Sequence, residues 1–301
     1  MPPDGLQRGR VDASTLAARI RAEFPTLSFA HTRLDDAGDD HAALILDEAW
    51  VFRFPRTAAV AAHDVHQRSL LQRLNPLSPV PTPDPIFVSA ANEFAGYRML
   101  PGRPLEGAVF EMLRPEAKAQ CLKQLGSFLA CLHGLPASLG AGGPQAWSGA
   151  QYVARYRRRR TRLCSAAPSD LLASMDRFYV AFPDAVDRAG RTLIHGDLST
   201  DHILIAPEED GLSGIIDFTD ATVGDPAFDF TCFWDYGDDA PAAVAGSYGR
   251  SRLVDALVER SRWWFARYTI DRLWWSLSGE RAYEISRVLD DLHRTLDALG
   301  L

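Results

Sequence analysis

The 301-residue sequence has no apolar run that approaches the roughly 20 residues of a membrane-spanning helix. Its first residues, MPPDGLQRGRVDAS, contain arginine but lack the apolar segment of a signal peptide. From these two absences we expect a cytoplasmic protein that has no membrane partner.

Cysteine is scarce and widely spaced. Cys121, Cys131, Cys164 and Cys232 form no CxxC pair and no Cys/His pattern with metal-ligand spacing. We therefore predict free thiols in a reducing compartment rather than disulfides or a zinc site.

Excess positive charge is also lacking. The formal net charge is −7, which argues against general nucleic-acid binding and is compatible with a cationic small molecule as partner. The local exception is RYRRRRTR at 155–162, which we interpret as the solvated face of an amphipathic helix rather than as a polyanion site.

Hydrophobic patterning predicts two unlike halves. The first hundred residues combine strand-like segments with helices at 14–24, where Ser14 is a candidate N-cap, and at 58–74. Further helices are predicted at 116–135, 150–164, 169–189, 241–268 and 271–298. We predict an α+β fold, with a small antiparallel β-sheet N-lobe at 1–97, a hinge at 98–102 and a helix-rich C-lobe at 103–301.

A hairpin is predicted near residue 210. The apolar runs HILIA (202–206) and LSGIID (212–217) are separated by the short loop PEEDG. Folding this hairpin brings HGDLSTDH and IIDFTDA to the same open end, so Asp197 and His202 should meet Asp217. Two adjacent carboxylates repel unless a cation lies between them, and magnesium with nucleotide phosphates would supply that cation.

The stretches HGDLSTDHILI and GIIDFTDATVGDPAFDF resemble the aminoglycoside phosphotransferases, a protein-kinase-like family, and are most similar to its 2''-phosphotransferase branch. FAGYRMLPGRPL (94–105) resembles the hinge of that branch, and WVFRFPR (50–56) resembles its nucleotide-binding strand. The resemblance implies a bilobal protein-kinase-like fold. It also implies transfer of the γ-phosphate of GTP or ATP, with Mg²⁺, to a hydroxyl group of an aminoglycoside.

By position, the resemblance implies roles for residues of the hairpin region. Asp197 would orient or deprotonate the acceptor hydroxyl, and Asp217 would hold magnesium. His202 stands where most members have a metal-binding Asn, so it would bind the metal or contact phosphate. We expect His195 to fix the loop backbone, and Asp225 and Asp229 to be structural.

On the nucleotide side, Arg53 replaces the usual lysine, and the helical Glu that pairs with this lysine is replaced by Gln67 or His66 or is absent. Gly38 is the single glycine of the loop DDAGDD (35–40), whose backbone N–H groups should face the phosphates. Backbone between Arg98 and Leu100 would bind the base. Tyr97 is either a residue guarding the inner pocket, which would favour GTP, or plain core.

An acidic cluster formed by Asp220, Asp235, Asp238 and Asp239 would suit a polycationic acceptor, although part of it could equally be a solvated helix start before Pro241. Trp274 and Trp275 could receive a sugar ring or pack between helices, whereas Trp263 and Trp264 are expected to pack.

The sequence is therefore compatible with three functional hypotheses. The first is a monomeric aminoglycoside phosphotransferase that confers antibiotic resistance. The second is a kinase of another hydroxylated molecule, such as a macrolide, a choline-like alcohol or homoserine. The third, suggested by Arg53 and Gln67, is a nucleotide-binding pseudokinase.

Overall fold

The computed structural model describes residues 12–36, 38, 40–208, 210–249 and 254–301. The chain forms two compact units. The first comprises the chain up to Asn75 together with Thr82–Leu100, and the second comprises Pro76–Pro81 and Pro101–Leu301. Two positions of the predicted phosphate loop, 37 and 39, lie outside the described residues.

The first unit is built on an antiparallel sheet in the order β1-β2-β3-β5-β4. Its strands are β1 (Thr32–Asp35), β2 (His41–Leu46), β3 (Trp50–Pro55), β4 (Pro85–Val88) and β5 (Ala95–Arg98). Alternation along β3 buries Phe52 and Phe54, which pack with Leu44 of β2 and with Phe94.

Helix α1 (Ala13–Glu23) contributes Ile20 to the same core. The prediction of Ser14 as its N-cap was wrong, because the carboxylate of Asp12 accepts the N–H of Thr15 (3.2 Å) and starts the helix earlier. Helix α2 (Ala58–Leu74) has the predicted bounds and is capped by the hydroxyl of Thr57.

The second unit contains the predicted hairpin. Its strands are β6 (Arg103–Pro104), β7 (Thr192–Ile194), β8 (Ile203–Ile205), β9 (Leu212–Ile215) and β10 (Thr222–Gly224). β8 pairs antiparallel with β9 and also with β6, while β7 pairs with β10. The hairpin prediction is therefore confirmed.

Helices make up most of this unit. They are α3 (Gly107–Met112), α4 (Pro115–Gly134), α5 (Gly149–Leu163), α6 (Ser169–Val186), α7 (Ala240–Ser247), α8 (Val254–Ser278) and α9 (Ile285–Ala298). Two short 3₁₀ segments, Ala137–Gly140 and Pro226–Tyr236, complete it. The fold is α+β, as predicted.

The predicted break near residues 269–270 was wrong. Helix α8 continues to Ser278, because nothing in RYTIDRLWW interrupts helical geometry. The chain leaves the helix at Gly279, where φ is +77°, a conformation that glycine adopts without strain.

The arginine run on α5 is only partly solvated, so that prediction needs correction. Arg155 and Arg159 both pair with the buried Asp271 of α8 (2.6 and 3.0 Å). Arg160 donates to both oxygens of Asp176 on α6. Arg157 and Arg158 are exposed, as expected.

The four cysteines are free, as predicted. Among the described residues, no helix combines the length and the apolar character that crossing a bilayer requires.

Candidate active site

One buried carboxylate anchors the loop that precedes β8. Asp229 is fully buried and accepts the backbone N–H groups of His195 (2.7 Å) and Gly196 (3.1 Å). It also accepts the Nε2–H of His133 from α4 (3.0 Å), and Nδ1 of His133 faces the hydroxyl of Tyr248 (2.9 Å). Asp229 therefore fixes the backbone immediately before Asp197, which agrees with the structural role expected for it.

The backbone has a positive φ angle in each of the two loops that meet at this site, the one between β7 and β8 and the one between β9 and β10. Gly196 has φ +82°, and a Cβ there would collide with the carbonyl oxygen of Asp220. Asp217 has φ +64° although it is not glycine, and Thr219 donates its hydroxyl to Oδ1 of Asp217 (2.7 Å). Such strain in a residue with a side chain costs on the order of 1–3 kcal/mol and is concentrated at functional sites.

His202 lies between the two predicted acids. Its Nδ1 donates to the backbone carbonyl of Asp197 (2.7 Å) and lies 3.7 Å from Oδ2 of the same residue. In the neutral ring this bond leaves a lone pair on Nε2, which faces Oδ2 of Asp217 at 3.9 Å. Asp197 and Asp217 therefore lie on opposite edges of one imidazole, and the pair of acceptors at the Asp217 edge is suited to share a cation.

The environment of Asp197 favours its neutral form. Burial by the surrounding protein, opposed by His202 and Arg281 and reinforced by the carboxylates of Asp220 and Asp217, raises the pKa of Asp197 to about 7. The side chain is nevertheless 56% exposed, so it can reach a molecule from solvent. A carboxyl group with a pKa near neutrality is a suitable general base.

His195 is held neutral. Its ring is fully buried, and burial lowers its pKa to about 4. Nε2 donates to the carbonyl of Ile216 (3.1 Å), which ties the loop to the end of β9. These contacts agree with the expected structural role.

The donor set at Asp217 fits magnesium in kind. Magnesium prefers oxygen ligands and is usually held by one or two carboxylates together with substrate phosphates and water. Across the described part of the chain, no three His, Cys, Asp or Glu side chains are grouped so that they could hold a metal by themselves. The carboxylate of Asp217 is a donor of the kind magnesium prefers, whereas the imidazole of His202 is a poorer match, so magnesium would need nucleotide phosphates and water to complete its ligands here.

The four acceptor-side acids occupy different environments. Asp220 lies against Gly196 and is half-buried. Asp235 is held by Arg272, which donates to both of its oxygens, so its charge has an internal partner. Asp238 and Asp239 are exposed, and Asp239 precedes α7 without capping it through its side chain.

The tryptophans of α8 contact arginines and other aromatic rings. The guanidinium of Arg159 lies 4.6 Å from the centre of the Trp274 ring, which agrees with helix packing. Trp275 lies near Tyr268 (5.7 Å) and Tyr283 (6.5 Å), with Arg281 over its ring (5.3 Å). As expected, Trp263 and Trp264 pack, with Trp263 stacked on Phe178 and Trp264 buried.

On the nucleotide side, Arg53 lies in β3 of the first unit. Its guanidinium nitrogen lies 3.0 Å from Nδ1 of His41, and Nε2 of His41 lies 3.0 Å from both oxygens of Asp64 on α2. Gln67 is on the same helix, one turn further on, and is half-buried. Asp64 is therefore linked to Arg53 through a histidine.

The other predicted nucleotide contacts lie in the loop between β1 and β2 and in or just after the interior strand β5. The carbonyl of Gly38 accepts from Nε of Arg56 (3.0 Å), which pins the loop between β1 and β2. Tyr97 is half-buried in β5, and Arg98 packs over Trp50 (4.6 Å). The N–H of Met99 already donates to Ala49 (2.8 Å), and Leu100 ends the first unit.

Sequence reasoning missed His41, Asp64, His133, Arg272 and Arg281. His133 lies on the apolar face of α4, where a histidine looks like an ordinary core residue. A buried polar side chain on such a face is the one signal that could have suggested an anchor.

A β-rich unit and a helical unit that presents paired acids on a hairpin loop define the class of protein-kinase-like phosphotransferases. The model of the APH family, described as the phosphotransferase enzyme family, matches residues 32–264. The chain belongs to this family and is a phosphotransferase enzyme. Among curated proteins, none matches the chain significantly.

Several solved structures have the same fold. A GDP and kanamycin complex of APH(2'')-IIIa superposes with a TM-score of 0.75 at 23% identity, covering 94% of this chain and 97% of that one. ADP-bound APH(2'')-Ib gives 0.64 at 18% identity, covering 95% and 97%. Macrolide 2'-phosphotransferase MphH from Brachybacterium faecium gives 0.63 at 21% identity, with the same coverage.

Proposed function

We propose that the protein transfers the γ-phosphate of GTP or ATP to a hydroxyl group of an aminoglycoside, of the 2'' type, and so confers resistance in the cytoplasm. The observation that carries the proposal is the position of Asp197 and Asp217 on the two edges of His202. A similarly folded relative is known in complex with GDP and kanamycin, which supports the same pair of ligand classes here.

Asp197 is the proposed catalytic base. Its carboxylate would accept the proton of the acceptor hydroxyl as the oxygen attacks the γ-phosphorus. A pKa of about 7 keeps a substantial ionised fraction at neutral pH while leaving the group basic enough to take a proton. The anchoring of the loop by Asp229 would hold this carboxylate in place.

Asp217 and His202 are the proposed magnesium ligands, together with nucleotide phosphates. When bound, the ion would neutralise charge on the transferring phosphoryl group. The hydroxyl of Thr219 would keep the Asp217 carboxylate oriented. The hydrogen bond from Nδ1 of His202 to the carbonyl of Asp197 would keep the Nε2 lone pair of His202 directed at the space beside Asp217.

The first unit supplies the proposed nucleotide contacts. Arg53 would bind phosphate, with Gln67 near it on α2, and the backbone around Gly38 would cover the phosphates. The edge of the base would meet backbone groups of Arg98 and Leu100, with Tyr97 behind them.

Carboxylates that reach solvent, half-buried in the case of Asp220, would receive the ammonium groups of the acceptor. Asp220, Asp238 and Asp239 can form charge-assisted hydrogen bonds with amines. Asp235 would take part only by releasing Arg272. Both tryptophans already carry a guanidinium, Arg159 over Trp274 (4.6 Å) and Arg281 over Trp275 (5.3 Å), so a sugar ring would stack on either indole only by using its other face or by displacing the arginine.

The test is phosphate transfer from GTP and from ATP to kanamycin-type acceptors by the purified protein. We expect Asp197→Asn to lower turnover about 10²–10⁴-fold, because it removes the base, while nucleotide binding persists. Asp201→Asn, an exposed acid of the same loop, is the matched control and should retain turnover. Absence of transfer by the wild-type enzyme to any aminoglycoside would refute the proposal.

A second candidate acceptor is a glycoside with few amino groups, such as a macrolide. Two cations favour it, because Arg272 neutralises Asp235 and Arg281 lies close enough to Asp197 to lower the pKa of that group. Macrolides should therefore be included in the same assay, and expression in a sensitive bacterium would show which drug class loses potency.

A further inference from the structure

His41 connects two charged side chains in the first unit. It is 5% exposed, and its partner Asp64 is 8% exposed. Nδ1 of the ring is 3.0 Å from Arg53, and Nε2 is 3.0 Å from the carboxylate of Asp64. We call these three side chains the Arg–His–Asp relay.

The chemistry of arginine fixes the protonation of the ring. A guanidinium is always charged and only donates hydrogen bonds, so Nδ1 of His41 must present a lone pair to Arg53. The ring proton then lies on Nε2 and is donated to Asp64. The carboxylate thus selects the tautomer that provides Arg53 with an acceptor, as second-shell carboxylates do for other functional histidines.

Strand register explains how the relay forms. In the pairing of β2 with β3, Ala43 is opposite Arg53, and His41 is two residues away on the same face. Such diagonal neighbours lie within reach of long side chains. Asp64 is buried on α2, so the relay links the sheet to the helix.

We propose that His41 is a positioning residue for Arg53, the proposed nucleotide contact. In the resembling family a Glu of the helix pairs directly with the cation of the nucleotide-binding strand, and here Asp64 of α2 acts on Arg53 through His41 instead. The proposal rests on the proposed function only in assigning nucleotide to Arg53. It accounts for a helix α2 in which the Glu expected from the resemblance is replaced by Gln67 or His66 or is absent.

The first experiment measures binding of GDP and ADP by calorimetry. His41→Leu removes one hydrogen-bond acceptor of Arg53 and should weaken binding about tenfold or more, the effect of losing one hydrogen bond to a charged group. His41→Asn keeps an acceptor oxygen near the position of Nδ1 and should bind within a few-fold of wild type. His63→Gln, on α2 next to Asp64, is the matched control and should not change affinity.

A double-mutant cycle tests whether Asp64 acts through the histidine. Asp64→Leu should weaken nucleotide binding in the wild-type background and have little further effect beside His41→Leu. An equal loss in both backgrounds would overturn the relay, as would wild-type affinity in His41→Leu. A purely structural role would lower the melting temperature of these variants without the rescue by Asn.

The second experiment needs no variant and no activity. Nitrogen-15 NMR of the wild-type imidazole at neutral pH should show the proton of His41 on Nε2, and a proton on Nδ1 would overturn the proposal. If the enzyme binds nucleotide but phosphorylates no acceptor, the proposed function is refuted. The nucleotide affinities of the variants and the tautomer of His41 would still show whether the Arg–His–Asp relay exists.

Discussion

Replacing Asp229 by Asn should destabilise the loop that carries Asp197 as well as the second unit. The carboxylate has three donors, from His195, Gly196 and His133. Whichever way an Asn amide turns, its NH₂ faces one of the two backbone N–H groups, and a buried unpaired donor costs roughly 1–3 kcal/mol. His133 can change tautomer to accommodate an amide, but a backbone N–H cannot. The hydrogen bonds that remain would also be weaker, because they would go to a neutral amide oxygen instead of a carboxylate. Together we expect a loss of about 2–4 kcal/mol in the free energy of unfolding.

Urea unfolding and phosphate-transfer kinetics would measure the two effects of Asp229→Asn separately. Turnover should fall at least about tenfold at a temperature where the variant is folded, because the backbone before Asp197 loses its anchor. Asp225→Asn is the matched control, since this buried acid accepts the indole N–H of Trp264 (2.9 Å), the N–H of Ala227 (3.0 Å) and a hydrogen bond from Arg260, but not the amides that precede Asp197. It should lose comparable stability with a smaller loss of turnover. Full stability in Asp229→Asn, or equal loss of turnover in both variants, would refute the reasoning.

Three further predictions follow from the same region. Gly196→Ala should lose about 2 kcal/mol or more of stability, together with turnover, because of its positive φ and the collision with Asp220. Gly246→Ala in α7 meets no atom and replaces glycine by a better helix former, so the same unfolding assay should show unchanged or slightly higher stability. The pKa of His195, lowered to about 4 from 6.5, means that the unfolded chain binds a proton before the folded one; stability should therefore fall as pH drops from 6.5 towards 4, by about 2 kcal/mol between pH 7 and pH 5. His195→Gln should reduce that slope in urea unfolding, and an unchanged slope would contradict the assignment. Finally, Asp235→Asn should change the KM for kanamycin little, because Arg272 already binds both oxygens of Asp235. Asp238→Asn and Asp239→Asn should each raise this KM several-fold. The reverse order in steady-state kinetics would place Asp235 in the acceptor site.

Local signals made much of the fold predictable. Helix α2 has the predicted ends because its apolar period starts after the capping hydroxyl of Thr57. The hairpin formed as expected because two short apolar runs flank a polar loop, and that pairing brought Asp197 and Asp217 to the same imidazole. The continuation of α8 was not predicted, since its dense aromatic and arginine content weakens any periodic signal.

Long-range polar pairing accounts for what the sequence could not reveal. His41 and Asp64 are 23 residues apart, and Asp235 and Arg272 are 37 apart. No spacing rule connects such pairs, because their contact depends on tertiary packing of a strand or loop against a helix. The same limitation explains why Asp235 looked like an open substrate ligand and why half of the arginine run looked solvated.

The tie made by Asp229 also affects how this region fluctuates. Loop amides usually exchange with solvent quickly, because small local openings expose them. The amides of His195 and Gly196 instead donate to a carboxylate that has no contact with water and is itself attached to α4. Their deuterium uptake should therefore be as slow as that of a core helix, and should accelerate only when the second unit opens as a whole.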